Sequence, residues 1–268
     1  MNRTTKTAAL GRSLLAGPYL LWMTGFILIP LCLILWYGLT DRDGALTLAN
    51  VLAIADPEHA KALWLSLGLS LVSTLICLVM AYPLAMILSN MKFNANSFIV
   101  MIFIMPMWIN FVLRTAATRD LLTAIGIKGG NMPYLAVMIG MVYNYLPFVI
   151  LPLYSTMLKM DKSVIEASSD LGAKPYQTFI KTIIPMSMPG IISAATMVFM
   201  PTMSSFVISD ILGERKIQLL GNLIDLNFNH SLWNNGSTIA LIMLVIIGIS
   251  MLFTRNVKKE GHTRGGLW

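Results

Sequence analysis

Six stretches of this sequence stay apolar long enough to cross a lipid bilayer, and that feature excludes most folds. A membrane-spanning helix needs about 20 mostly apolar residues. The chain offers Leu14–Leu39, Leu63–Leu88, Phe98–Leu113, Leu135–Leu158, Pro185–Ser209 and Ile239–Phe253. The third and sixth are short in their strictly apolar part and are expected to extend by a turn or two. Apolar residues make up 56% of the 268 and charged residues 12%, against roughly 45–50% and 25% in soluble domains. A soluble fold of this size cannot cover that much apolar surface, whereas a bilayer does. The first run follows Arg3, Lys6 and Arg12, as a secretory signal would, but it is too long and lacks an A-x-A cleavage site, so it reads as an uncleaved helix. The expected fold class is all-α, a polytopic membrane protein with six transmembrane helices.

Lysine and arginine orient the spans, because cytoplasmic loops collect them. With the N terminus inside, the cytoplasmic segments hold Arg3, Lys6, Arg12, Lys92, Lys159, Lys162, Lys174, Lys181, Arg255, Lys258, Lys259 and Arg264. The external segments hold Arg42, Lys61, Arg114, Arg119, Lys128, Arg215 and Lys216, a split of 12 to 7. Eight of the 12 acids fall outside, so both termini are expected in the cytoplasm. Leu121, Leu122 and Ile125 are spaced for a short interfacial helix over Arg114–Ile127, before a turn at Gly129-Gly130.

Chemistry-bearing patterns are scarce. His59, His230 and His262 are scattered, no C-x-x-C or H-E-x-x-H occurs, and Cys32 and Cys77 sit inside apolar runs. No metal site, disulfide or catalytic residue is expected. No G-x-x-x-x-G-K-[ST] occurs either, so the chain has no loop to cradle nucleotide phosphates.

The segment Lys159–Pro185 between the fourth and fifth spans carries the densest local signals. Ser163 and Glu166 have capping-box spacing. Val164, Ile165, Ala167 and Leu171 give the following helix an apolar face, and Gly172 is placed to end it in a left-handed conformation. Pro175 can open a second helix at its first turn, with Phe179, Ile180 and Ile183 apolar and Lys181 exposed. Pro185 marks the start of the fifth span. The result is a capped helix, a glycine hinge and a second helix across the cytoplasmic face, able to transmit a push. On these signals alone, an amphipathic interfacial helix without a partner explains the segment as well.

The spacing of Glu166, Ala167, Gly172 and Pro185 resembles the loop signature of ATP-binding-cassette importer permeases, E-A-A, three residues, G, nine residues, I-x-L-P. Ser168 replaces the second Ala, Thr182 the Ile and Ile184 the Leu. The resemblance implies the fold of the type I importer permeases and a coupling helix seated in a groove on a separate ATPase. There Glu166 would orient the helix, Ala167 and Ser168 would allow close approach, and Gly172 would provide the turn. It implies residues 1–62 as an N-terminal tail, first helix and external loop. A permease core would follow over 63–255, containing the coupling loop 159–187, with a cytoplasmic tail over 256–268.

Within that family, Pro106–Arg114, Leu146–Tyr154, Asp170–Ala173, Gln177–Ile180, Ile184–Ile192 and Ser209-Asp210 resemble the B-type permease subunits of spermidine/putrescine importers. The implied partners are an ATP-binding-cassette ATPase dimer holding ATP and Mg, a second permease subunit of the C-type, an external substrate-binding protein, a polyamine and membrane lipid, with no nucleic acid. No cofactor is implied in this chain, and the implied location is the bacterial inner, or cytoplasmic, membrane. Related importers carry iron, sulfate and other small solutes, so those cargoes stay open.

Polar residues inside a bilayer usually face a bundle interior. Thr202, Ser205 and Ser209 are spaced for one face of the fifth span, with Asp210 just beyond at its external end. Tyr143 and Asn144 lie in the fourth span, and Trp108, Asn110 and Arg114 follow a kink expected at Pro106. Aromatic faces attract ammonium groups by about 0.5–2 kcal/mol. The competing reading has the hydroxyls tying helices together and Trp108 and Tyr154 anchoring at the interface. An external helix end also suits a solvated Asp210, and Arg114 is expected either to pair with Asp120 or to anchor at the surface. An ion-coupled secondary transporter would need mid-membrane acids or histidines, and an intramembrane enzyme a nucleophile with its base. Neither pattern is present.

Overall fold

The computed structural model describes residues 17–41, 43–52, 56–90 and 96–263. The basic residues at 3, 6, 12, 42, 92 and 264 lie outside the described residues, as do the side chains of Arg255, Lys258 and Lys259. Among the described residues five helices are long and apolar enough to cross a membrane, six spans in all if a helix pair bent at a short break counts as one. Among the described residues the only strand-like pairing is one isolated bridge, Thr40 to Leu46. The all-α expectation holds, and the five to six candidate spans agree with the six expected.

The chain divides into two compact units. One comprises the residues before Pro57 with Ile224–Leu244. Its first helix, α1 (Gly17–Gly38), is apolar on every side and almost wholly uncovered, as a lipid-facing helix is. Pro30 lacks an N–H and would clash with the carbonyl four residues back. A π-helical turn at Thr24–Leu28, closed by the Ile29 N–H on Thr24 O, widens the helix just before it. The last carbonyls of α1 lack helical partners. Two are taken by side chains of α11 (Trp233–Thr263): Asn234 donates to Tyr37 O at 3.2 Å and Thr238 to Gly38 O at 3.0 Å. A short helix, α2 (Ala49–Leu52), follows a turn at Gly44.

The other unit comprises Pro57–Leu223 with the chain from Val245. Three long helices form its core: α3 (Pro57–Asn90), α6 (Pro133–Leu158) and α8 (Pro175–Met203). Water-driven burial does not hold helices together in lipid, so close packing of small residues does. Ala81 and Ala85 of α3 and Ala194 of α8 are fully buried with Val149, Ile150 and Leu153 of α6. A Cβ at Gly190 would come within 2.7 Å of Thr156 Oγ1, so this crossing requires glycine. Along α3, Ser70 and Thr74 donate to the carbonyls of Ser66 and Ser70, each at 2.7 Å. Their buried hydroxyls are thus satisfied within the helix.

The third span differs most from expectation. It comprises α4 (Asn96–Ile104), a tight 3₁₀ turn at Met105–Trp108, and α5 (Phe111–Ala124). The two halves meet at 96°. Pro106 opens the 3₁₀ turn, Ile109 is extended, and Asn110 restarts the helix by accepting from the Val112 and Leu113 N–H groups. The short helix expected over Arg114–Ile127 is thus present, begins three residues earlier at Phe111, and carries Arg114 in its first turn.

The fifth span also departs. Pro185 does not begin it: the helix runs unbroken from Pro175, and a π turn at Phe179–Ile183 absorbs the proline as in α1. The span ends at Met203, and α9 (Val207–Leu212) is a separate helix. Thr202, Ser205 and Ser209 thus do not share one continuous helical face. The remaining described helices are α7 (Lys162–Asp170) and α10 (Leu220–Asn229).

Candidate functional site

The loop between α6 and α8 folds as helix, hinge and helix, with two local differences from its sequence reading. Asp161, not Ser163, caps α7, its carboxylate accepting from the Ser163 N–H at 2.9 Å. Hydrogen bonds from the Ser163 side chain and backbone hold the Asp161 carboxyl below its ordinary range. Ser163 therefore lies inside the helix, and Glu166 is exposed on its second turn, making no capping contact. An Asp one position before Lys162 supplies an acceptor where the first free N–H groups point, which preempts the box.

The hinge follows expectation. Gly172 has φ +79°, and no neighbour lies within 4 Å of where a Cβ would be. The constraint is one of backbone conformation alone. The Gly172 N–H donates to Ser169 O at 2.9 Å and the Ala173 N–H to Ser168 O at 3.2 Å, the paired bonds of a Schellman ending. Pro175 is the first residue of α8, and Gln177 Oε1 accepts from the Lys174 N–H at 3.0 Å.

Ser168 ties the two helices together. Its hydroxyl lies 3.1 Å from that of the buried Thr178 and accepts from Thr182 Oγ1 at 3.5 Å. Ala167 is exposed, Val164, Tyr176 and Ile180 project outward, and Leu171 is 89% exposed. The loop is held from within while its apolar side chains face away from the chain.

A second polar group gathers at the break in the third span. Arg114 is 6% exposed. Its Nε donates to Asn144 Oδ1 at 2.7 Å, Nη1 to Pro106 O at 2.6 Å and Nη2 to Asn144 O at 3.3 Å. The guanidinium lies 5.8 Å from the half-exposed Tyr143 ring. Asn144 Nδ2 donates to Gly140 O at 2.8 Å and Thr115 Oγ1 at 3.4 Å, so its amide is fully committed within the protein. Asp120 pairs with Arg119 at 2.9 Å, which corrects the expected Arg114–Asp120 pair. Trp108 is exposed and Asn110 serves as the helix cap. A groove of about 500 Å³ runs beside Arg114, lined by Ile109, Leu113, Leu121, Ile139 and Tyr143.

A third group surrounds the gap between α8 and α9. Thr202 donates to the Val198 and Phe199 carbonyls. Ser209 donates to Phe206 O at 2.8 Å and Asn222 Oδ1 at 2.7 Å. Asp210 is half-buried and accepts from Asn222 Nδ2 at 2.6 Å. Ser205 Oγ is buried near the Tyr145 hydroxyl and, among the described residues, has no well-formed hydrogen bond. Asn222 organises this group from α10, and no sequence pattern singled it out. The same holds for the Arg114–Asn144 contact, whose partners are 30 residues apart. Among the described residues no hydrogen bond joins the second group to the third. Among the described residues no cluster of His, Cys, Asp or Glu could hold a metal.

Several apolar spans joined by a capped helix–hinge–helix loop define a polytopic membrane protein, and comparison with known proteins gives its class. Residues 47–258 match the family described as the binding-protein-dependent transport system inner membrane component, and the chain belongs to that family as a multi-pass inner-membrane protein. It is 34% identical to the spermidine/putrescine transport system permease protein PotB of Escherichia coli, covering 86% of this chain and 92% of that one. Identity to PotB of Haemophilus influenzae is 33%, over 85% and 87%. A bacterial ABC transporter that imports the polysaccharide alginate shares the fold, with TM-score 0.73 at 13% identity over 97% of this chain and 99% of that one. The MetNI methionine ABC transporter gives 0.57 at 18% identity, over 77% and 99%.

Proposed function

We propose that this chain is one permease half of an ATP-driven polyamine importer, moved by a separate ATPase seated on the loop at Lys159–Pro185. The observation that carries the coupling role is the loop's construction. It is fixed internally by the Asp161 cap, the Schellman turn at Gly172 and the Ser168 hydroxyl contacts, and Leu171 projects almost fully exposed. Such an element passes a displacement to α8 with little bending. Glu166 and Ala167 lie on its uncovered side, where an ATPase groove would meet them, and the continuous helix through Pro185 carries the movement into the membrane. The PotB relatives, named for spermidine and putrescine, support the cargo.

On this reading both termini are cytoplasmic, and the ATPase dimer supplies ATP and Mg. A second, C-type permease subunit completes the path, and an external binding protein delivers the polyamine. Asp210 is the acid on this path best placed to meet an ammonium group, since its second carboxylate oxygen makes no protein hydrogen bond. Ser205 offers a buried hydroxyl with free hydrogen-bonding capacity. Trp108 and Tyr143 offer aromatic faces, and Asn110, Asn144, Thr202 and Ser209 shape the surrounding backbone.

The test is uptake of labelled spermidine and putrescine by proteoliposomes holding the co-purified complex. Uptake should require ATP and the binding protein, and Gly172→Val, which forces a β-branched residue to φ +79°, should abolish it while leaving membrane insertion intact. Uptake that survives ATP depletion but collapses with an uncoupler would refute the reading. Transport of iron or sulfate without polyamine would replace its cargo.

A further inference from the structure

At one end of the bundle the helix starts and a single loop enclose a polar pocket of about 250 Å³. Glu58 and Lys61 come from the first turns of α3, Tyr134 from the start of α6, and Arg215, Lys216 and Gln218 from the loop between α9 and α10. Three of these side chains are cationic and one is acidic. Among the described residues none of Lys61, Arg215 and Lys216 forms an ion pair, and Glu214, whose carboxylate lies on the Gly130 side near Lys216, leaves the cations in excess. The pocket also receives the N-termini of two long helices, whose aligned peptide dipoles place positive potential there. Cations and helix ends thus act in the same direction.

The loop that carries Arg215 and Lys216 is rigidly held. Glu214 and Arg215 adopt left-handed backbone, with φ of 47° and 58°, a conformation that non-glycine residues keep only when their surroundings impose it. Lys216 Nζ donates to Gly130 O at 2.6 Å and its N–H to Gly213 O at 2.9 Å. Gly129 allows the close approach, since a Cβ there would lie 2.9 Å from Glu214 Cγ. Ile217 in the pocket wall and Leu219 and Leu220 beyond it are buried and anchor the loop. A preformed, positively charged recess in a strained loop is built to receive something acidic.

We propose that this pocket is the docking point for a carboxylate patch on the external binding protein. The inference rests on the importer reading above, which places these helix starts outside the membrane. A polyamine is excluded as occupant because three cations repel it. A lipid headgroup fits less well, because the lining comes from helix first turns and a loop at the bundle end, not from a lateral, lipid-facing groove. Charge complementarity of this kind sets encounter rate and register, and it is screened by salt.

The test uses the complete reconstituted complex and the purified, polyamine-loaded binding protein, titrated against ATPase rate. Replacing Lys61→Glu, Arg215→Glu and Lys216→Glu together should raise the half-saturating binding-protein concentration about tenfold at low salt, with the maximal rate unchanged. Wild type should lose apparent affinity as salt rises, whereas the triple variant should not. Hexaglutamate should compete with the binding protein on wild type only. A neutral triple variant, Lys61→Gln, Arg215→Gln and Lys216→Gln, guards against misfolding and should fall between the two. Unchanged half-saturation in both variants, beside a stimulated wild type, overturns the pocket assignment alone. So does an effect that follows phosphatidylglycerol content in the vesicles instead of binding-protein concentration. A wild-type complex that no binding protein stimulates overturns the importer reading and this inference together.

Discussion

In the loop between α6 and α8, polar side chains serve the local backbone and apolar ones point away. Asp161 and Gln177 bond to N–H groups two or three residues distant, while Leu171, Tyr176 and Ile180 stand uncovered. At the broken third span the pattern inverts. A cation is buried, its hydrogen bonds go to a carbonyl eight residues back and to a side chain and carbonyl on another helix, and among the described residues no acid pairs with it. The first arrangement leaves a surface for another molecule to cover. The second holds a 96° bend in place by giving carbonyls at the break a charged donor. A buried, fully bonded polar residue marks scaffold, whereas exposed apolar residues in a loop outside the spans leave a surface free for contact.

The comparison breaks most visibly at Asn144. Asn144→Leu removes the acceptor of Arg114 Nε and leaves a buried guanidinium bonded only to carbonyls. The expected cost is about 3 kcal/mol, read as a lower thermal midpoint of the detergent-purified complex and loss of assembled protein. An unchanged midpoint would mean that Arg114 is solvated and that Asn144 is free to serve the transport path.

Leu171→Asp probes the opposite end of the comparison. Because Leu171 is 89% exposed, the thermal midpoint of the chain should stay within error. ATPase association and polyamine uptake should fall about tenfold, the size of one lost interface anchor. Equal loss of stability and coupling would show that the loop is part of the core and not a docking element.

How far each region could be read from sequence follows from the same contrast. The loop's signals are local: Gly172 needs φ above zero, Pro175 suits a first helical turn, and both lie where their spacing placed them. Even there Asp161 displaced the expected Ser163–Glu166 box, since two potential caps stood two residues apart and only geometry decides between them. The six spans were legible because apolar length alone identifies them. The third span's break was located to within a few residues by Pro106, yet its angle depends on the contact of Arg114 with Asn144, 30 residues away. The fifth span was read too far, to Ser209, because Ser204–Phe206 carries no glycine or proline to mark its end. Asn222, which holds Ser209 and Asp210, lies in a different helix, and no periodicity connects it to them.

A smaller effect is expected at Thr178. Thr178→Val removes the hydroxyl that meets Ser168 and should cost about 1 kcal/mol locally. Amide exchange over residues 162–182 should accelerate while the rest of the bundle is unaffected. If the tie between the helices transmits the push, more ATP should be hydrolysed per polyamine imported. An unchanged ratio would assign the transmission to the Gly172 hinge alone.

The smallest effect concerns pH at Asp161. Its carboxyl is held below the usual range by the Ser163 side chain and N–H, so the folded loop binds its proton less readily than the unfolded one. The cap's contribution is therefore complete above the ordinary carboxyl value of about 4 and is lost as pH falls through the lower folded value. Protection of the α7 amides in wild type, divided by that in Asp161→Asn, should be constant from neutral pH to about 5 and decline below about 4. Asparagine keeps the capping oxygen without the titration, so a ratio independent of pH would show that the charge contributes nothing and that hydrogen-bond geometry alone starts the coupling helix.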